Sequence, residues 1–256
     1  MIKAIIKRGL RKVLHPLNQR LYGAQFDGGG VDNKSPLLEN FYNSLHQIGF
    51  IPKHIIDIGA NHGTWTRHLL GHFPNAFITM IEPQGWLRDS VADLLLANSN
   101  IQFHAVGAGE KKGQFKFTIV DRDDSCSFRY TEEEALSQGY RQVEIPVVAL
   151  NEFLVEQNLP IPDIIKIDAE GLDIDVLKGA GNYFGKTEIF MVEAAVMNKM
   201  FTNDVLTMLE FMQKAGYRLF DITDINRTQK QNALWLVELV FIKKNGFIDN
   251  AVNAYS

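Results

Sequence analysis

Ile55-Ile56-Asp57-Ile58-Gly59-Ala60-Asn61-His62-Gly63-Thr64-Trp65-Thr66 reads as a short buried strand, a glycine turn and the start of a helix. In an α/β sheet such a turn lies at the carboxyl end of its strand, where ligands bind. Gly59 and Gly63 permit a tight turn and a close approach of a ligand to the backbone. Asp57 sets a carboxylate beside that turn. A dinucleotide brings a pyrophosphate there and is repelled by an anion. A cofactor carrying an ammonium and a sulfonium is attracted. The stretch therefore points to S-adenosylmethionine (SAM) ahead of NAD.

Outward from this stretch, apolar strand patterns alternate with helical ones. Strands are expected at Ile55–Ile58, Ala76–Ile81 and Ile101–Val106, with helices over Ser35–Gly49, Thr64–Gly71 and the residues leading to Ala97. Such alternation predicts a parallel sheet with crossover helices. It breaks between Gln114 and Leu150. Phe115, Phe117 and Ile119 alternate, as do Val143, Ile145 and Val147, which predicts two antiparallel strands added at an edge. Between them the run Glu132-Glu133-Glu134 reads as a solvated helix start. The rhythm resumes with a helix that Asn151 can cap, a strand over Asp163–Ile167, a helix over Asp173–Lys178, a strand over Glu188–Val192 and a helix over Asn203–Ala215. Strands at Tyr217–Ile222 and Leu234–Ile242 follow, separated by polar residues without an apolar helical face. That connection predicts a hairpin, so the last strand runs antiparallel. The expected fold is α/β: one Rossmann-like domain with a seven-stranded, mostly parallel sheet, the last strand antiparallel, plus a strand-edge β insertion and an N-terminal helix.

The 256 residues, 46% hydrophobic and 22% charged, suit one globular domain with a sizeable core. Residues 1–34, a basic helix and the Gly-rich loop Phe26-Asp27-Gly28-Gly29-Gly30, are set apart from a catalytic domain over 35–256. The net charge of −4 hides an asymmetry, because the first 20 residues carry six Lys and Arg and no acid. The acidic remainder argues against nucleic-acid binding. Lys and Arg interrupt the apolar residues of the start, so it is not a signal peptide. Ile2, Ile5, Ile6, Leu10, Val13 and Leu14 fall on one helical face. Residues 1–15 can rest on an anionic membrane surface or, the preferred reading for so short a segment, act as a lid or docking helix. No apolar run reaches the roughly 20 residues of a membrane span. The single cysteine, Cys126, forms no internal disulfide and fits a reducing compartment, so the expected location is cytoplasmic, possible peripheral membrane contact aside.

Three further segments carry chemistry. Glu82 in Ile81-Glu82-Pro83 closes the second strand, where a carboxylate accepts hydrogen bonds from both ribose hydroxyls of a nucleoside; a surface Glu before a proline turn is the lesser alternative. In His104-Ala105-Val106-Gly107-Ala108-Gly109, small residues let an adenine lie flat against the backbone. In Ile164-Ile165-Lys166-Ile167-Asp168-Ala169-Glu170-Gly171, Asp168 and Glu170 stand at a strand end beside the glycine turn, and Glu193 ends the next strand alike. One of these carboxylates can act as general base on a hydroxyl. Alternatively Asp168, Glu170 and Glu193 hold a magnesium or manganese ion, or Asp168 or Glu170 merely caps the following helix. Lys166 is positioned to pair with one of them.

Together with Val147–Leu154 and Val176–Ala180, these segments resemble the FkbM-type methyltransferase family from about residue 53 to residue 195. The resemblance implies SAM as methyl donor and O-methylation of sugar or natural-product hydroxyls. It implies that Asp57, Gly59, Asn61, Gly63 and Glu82 line the cofactor pocket, and that Asp168 and Glu170 face the active site. Thr64, Pro83 and Val106 complete the expected cofactor set. Asn151 stands where the family usually has Asp, and Asp173 where it usually has Glu, which leaves the acceptor open. His62 is more easily read as a turn residue than as a substrate contact. His54, His68 and His72 form no convincing ligand set. Ser125-Cys126-Ser127 is a loop that can approach the methionine end of SAM.

The expected activity is thus SAM-dependent O-methylation of a small-molecule or glycan acceptor, with Asp168 as base and Glu170 positioning it or binding acceptor hydroxyls. A nicotinamide-dependent oxidoreductase and a non-catalytic interaction protein remain as alternatives.

Overall fold

A computed structural model describes residues 36–197, 201 and 203–252. The proposed N-terminal unit, its basic helix and its membrane contact lie outside the described residues. The strands are β1 (His54–Ile58), β2 (Phe77–Ile81), β3 (Ile101–His104), β4 (Gly107–Ala108), β5 (Gly113–Ile119), β6 (Arg141–Val148), β7 (Ile164–Ile167), β8 (Ile189–Ala195), β9 (Tyr217–Arg227) and β10 (Leu234–Lys243). The α-helices are α1 (Pro36–Ile48), α2 (Thr64–His72), α3 (Ala92–Ala97), α4 (Glu132–Gln138), α5 (Leu150–Glu156), α6 (Asp173–Gly179), α7 (Val205–Lys214) and α8 (Phe247–Ala251).

Seven strands form one sheet in the order β3-β2-β1-β7-β8-β10-β9. β1 pairs in parallel with β2 and β7, and β7 with β8. β10 is antiparallel to both β8 and β9, as the polar connection predicts. The hairpin is longer than expected: β9 continues to Arg227, so only a short turn separates it from β10.

Strand alternation sends neighbouring side chains into two cores. Ile56, Ile58, Ile165 and Ile167 pack with Phe153 of α5, Leu177 of α6 and Met208 of α7. Ile55, Ile164 and Met80 pack on the other face with Phe41 and Leu45 of α1 and Leu69 of α2. Each such fully buried side chain contributes roughly 1.5–3 kcal/mol. The same alternation dictates that Asp57 and Lys166, in register on β1 and β7, share the face covered by α1 and α2.

The inserted strands β5 and β6 pair antiparallel as expected. They do not extend the main sheet. With β4 they form a second sheet, β4-β6-β5, which the chain enters directly from the edge strand β3. The acidic run opens α4, where Thr131 and Glu134 form a capping box. Asn151 does not cap α5, whose N-cap is Ala149; its Oδ1 instead accepts from the backbone N–H of Asn182. Among the described residues no helix is long and apolar enough to cross a membrane.

Candidate active site

A cleft opens over the carboxyl ends of β1, β2 and β7. Its floor is the turn after β1. Gly59 has φ +72°, and a Cβ there would stand 2.0 Å from the carbonyl oxygen of Asp168. Glycine is required at this point by the neighbouring strand's backbone, which accepts no side chain between.

One wall is Glu82. Its Oε2 accepts from the backbone N–H of Asn61 at 2.8 Å and its Oε1 from that of Gln84 at 2.9 Å. Two backbone donors, one from each turn, therefore aim the carboxylate. A carboxylate offers about four acceptor directions, so lone pairs remain for a vicinal diol. Burial pushes the Glu82 carboxyl up, against the lowering effect of these two bonds.

The opposite wall is Asp168, Ala169 and Glu170. Asp168 Oδ2 lies 3.2 Å from Lys166 Nζ. Burial, then Asp168 and Asp173, push the Glu170 carboxyl well above its usual range. Glu170 also holds φ +51°, a conformation that costs a non-glycine residue roughly 1–3 kcal/mol and is typical of sites. Glu193 is raised in the same way by burial, Asp168, Asp173 and Glu170.

The roof is the loop from the second sheet. Asp123 bonds through its carbonyl to the Gln84 amide at 2.8 Å, and its Oδ2 lies 2.9 Å from His62 Nε2. Phe128 lays its ring over Gly107, where a Cβ would stand 2.6 Å from it, and packs edge-on against Phe117. These rings, with Cys126 and Ser127, give the cleft an apolar end.

A family model of the FkbM methyltransferase domain matches residues 57–219, which holds the glycine turn, both cleft walls and the roof. The chain belongs to the FkbM methyltransferase family. It is also similar to "Methyltransferase 1" of Beauveria bassiana (strain ARSEF 2860), 26% identical over 160 residues, covering 55% of this chain and 64% of that protein. The chain thus spans less than two thirds of the length of this relative. Solved structures of similar shape include the precorrin-6y C5,15-methyltransferase of Geobacter metallireducens, with 14% identity, TM-score 0.45 and coverage of 80% of this chain and 87% of that one. Another is the Burkholderia thailandensis 1,6-didemethyltoxoflavin-N1-methyltransferase with 14% identity, TM-score 0.41 and coverage of 91% and 89%.

In this FkbM domain the residues singled out by sequence divide into two groups. Gly59, Asn61, Glu82, Pro83, Asp168 and Glu170 line the cleft. Asp57, Gly63, Thr64, Val106 and Glu193 do not. Asp57 is fully buried beneath the floor, its Oδ2 accepting from the Thr66 hydroxyl at 2.6 Å. Gly63 is the N-cap of α2 and packs against Val91 and Leu94. Thr64 is exposed at the first turn of α2, and Val106 leans on the core while Gly107 and Ala108 reach the cleft. Glu193 faces Glu238 across the β8–β10 ladder.

Within the stretch His104–Gly109 expected to take an adenine, Gly107 is covered by the Phe128 ring. Neither Asp168 nor Glu170 caps α6, whose N-cap is Leu172. Asp173, buried and pushed up to about 7 by burial and by Asp168, accepts from Ala169 N–H and from the Asn203 amide. It braces the cleft wall from beneath. The suggested ion site is not assembled: among the described residues no three or more His, Cys, Asp or Glu side chains are placed to hold a metal ion.

Sequence reasoning missed Gln84, Asp123 and Phe128. In this loop the sequence pattern singles out Ser125-Cys126-Ser127 alone. Which turn these side chains would close on depends on how the second sheet folds over the first.

Proposed function

We propose that this domain is a SAM-dependent O-methyltransferase acting on a hydroxyl of a sugar, glycan or natural product. The observation that carries the reading is the Glu82 carboxylate, aimed into the cleft by the backbone N–H groups of Asn61 and Gln84 and standing across from Asp168 and Glu170.

The residues present fit SAM. Glu82 suits a ribose diol, the Phe117 and Phe128 end suits a purine, and the carboxylate wall suits a sulfonium. When bound, SAM supplies a methyl group on positively charged sulfur, so the protein has chiefly to orient the acceptor and to receive a proton. Asp168, ion-paired with Lys166, is the proton acceptor. Glu170, on the same wall of the cleft, positions Asp168 or binds acceptor hydroxyls. The carboxylate wall also disfavours phosphorylated or carboxylated acceptors at the reacting position.

The test is calorimetric titration with SAM and S-adenosylhomocysteine (SAH), with and without magnesium or manganese, and with NADH as the control ligand. Micromolar SAH binding without added metal is expected, followed by methyl transfer in a glycan screen. Binding of NADH in place of SAH sinks the reading, and binding of neither favours a non-catalytic role.

A further inference from the structure

We propose that Asp57 is a positioning residue for the carboxylate wall and not a cofactor ligand: with Thr66 it holds Lys166, and Lys166 holds Asp168. This rests on the reading of Asp168 as the proton acceptor.

The geometry begins with register. Asp57 and Lys166 are opposite one another on adjacent parallel strands, so their side chains leave the sheet on the same face. Asp168, two residues beyond Lys166, leaves on that face too, one step nearer the cleft. The three form a column. Lys166 Nζ lies 3.7 Å from Asp57 Oδ1 and 3.2 Å from Asp168 Oδ2. Asp57 is fully buried and Lys166 only 5% exposed, while Asp168 opens to the cleft. The Trp65 ring stands 5.9 Å from Nζ as an apolar wall beside the ammonium.

The Asp57 carboxylate is held from one side only. The Thr66 hydroxyl occupies Oδ2, and Oδ1 has no hydrogen-bond partner; its nearest opposite charge is Lys166. Of the two carboxylates within reach of Lys166 Nζ, only Asp168 lines the cleft. A buried ammonium with no partner costs several kcal/mol. Asp168 alone is an unreliable partner, because accepting the acceptor's hydroxyl proton neutralises it. Asp57 keeps Lys166 compensated at that moment. Lys166 in turn engages Oδ2 of Asp168 and leaves Oδ1 to receive the proton. Burial by itself works against the charge on Lys166, and Asp168, Asp57 and Glu238 together more than offset it, so the ammonium is retained.

The experiment compares wild type, Asp57→Asn, Lys166→Met and the double variant. Asparagine keeps the shape of Asp57 and its contact with Thr66 while removing the charge. SAH affinity of Asp57→Asn, read by calorimetry without acceptor, is expected within about 3-fold of wild type. kcat on an acceptor from the glycan screen is expected to fall at least 30-fold, with the SAM KM within about 3-fold. In melting experiments the double variant is expected to unfold at a higher temperature than Asp57→Asn, since the stranded ammonium is gone.

A loss of SAH affinity beyond 10-fold in Asp57→Asn overturns the proposal in favour of direct cofactor contact. Unchanged kcat reduces Asp57 to a structural ion pair and overturns it as well. Melting effects that simply add show that the two residues are uncoupled. Failure of the wild type to bind SAH defeats the methyltransferase reading instead, and the melting cycle then still decides whether Asp57 supports Lys166.

Discussion

His54 and Asp57 stand three residues apart on β1, both buried, and the fold treats them differently. His54 opens the strand with every polar atom answered: Nδ1 lies 2.8 Å from the Pro160 carbonyl and Nε2 3.0 Å from the Thr79 hydroxyl. Burial lowers its pKa, against the Pro160 and Asp163 contacts, so the ring is neutral. Asp57 nears the other end of the strand with one oxygen unanswered and a charged lysine beside it. The amino end of the sheet is built for saturation. The carboxyl end gathers carboxylates that burial and mutual repulsion hold away from their ordinary state, a pattern enriched at functional sites.

The comparison breaks if variants at the two ends have like effects. The largest contrast is expected from Asp168→Asn, which retains SAH binding and lowers turnover roughly 10²–10⁴-fold, the usual worth of a general base; unchanged turnover in a steady-state assay removes Asp168 from that role. At the other end, His54→Ala should destabilise the fold by roughly 2–4 kcal/mol through a cavity and two stranded polar partners. Its SAH affinity should not change, and chemical denaturation paired with calorimetry checks both halves. Glu82→Ala should show the reverse pattern, an affinity for SAH weakened about 10–100-fold as a charged hydrogen-bonding group is lost. Equal affinity in that variant would take the ribose contact away from Glu82.

The smallest effect sharpens the contrast by pH. Asp173 and Glu238 have folded-state pKa values of about 7, burial being the main cause in each. Their ordinary values are 3.8 and 4.5. The folded state therefore holds more protons than the unfolded chain between these limits. The stability they contribute is full below about pH 4 and is lost as pH rises through 7. The unfolding temperature should fall by a few degrees from pH 5.5 to 7.5, with a shallower fall in Asp173→Asn. Equal slopes in the two proteins would show that Asp173 does not titrate there.

Much of the fold was legible because buried strands announce themselves by runs such as Ile55–Ile58 and Ile164–Ile167, and the reversed β10 by a connection too polar for a crossover helix. The candidate site was legible where it depends on backbone: the turn at Gly59, the carboxylate after β2, the acids after β7. It was not legible where a side chain chooses its partner. Asn151 looked like a cap and instead secures Asn182. Gly107 belongs to the small-residue stretch read as a bed for adenine, and it sits under the Phe128 ring. Asp57 reads as part of the cofactor pocket, and its side chain is buried beneath the cleft floor beside Thr66 and Lys166. In each case the residue's type is compatible with both outcomes, and the deciding neighbour is far away in the chain.

By itself, then, the sequence determined the α/β order, the family and the two strand-end turns that flank the cleft, because these follow from local periodicity and from residues whose backbone or charge admits few alternatives. The tertiary structure alone decided which carboxylates face the cleft, which lie below it and what roofs it. Those outcomes depend on strand register and on the packing of one sheet over another, and a shift of one residue in register turns a ligand-facing side chain into a buried one.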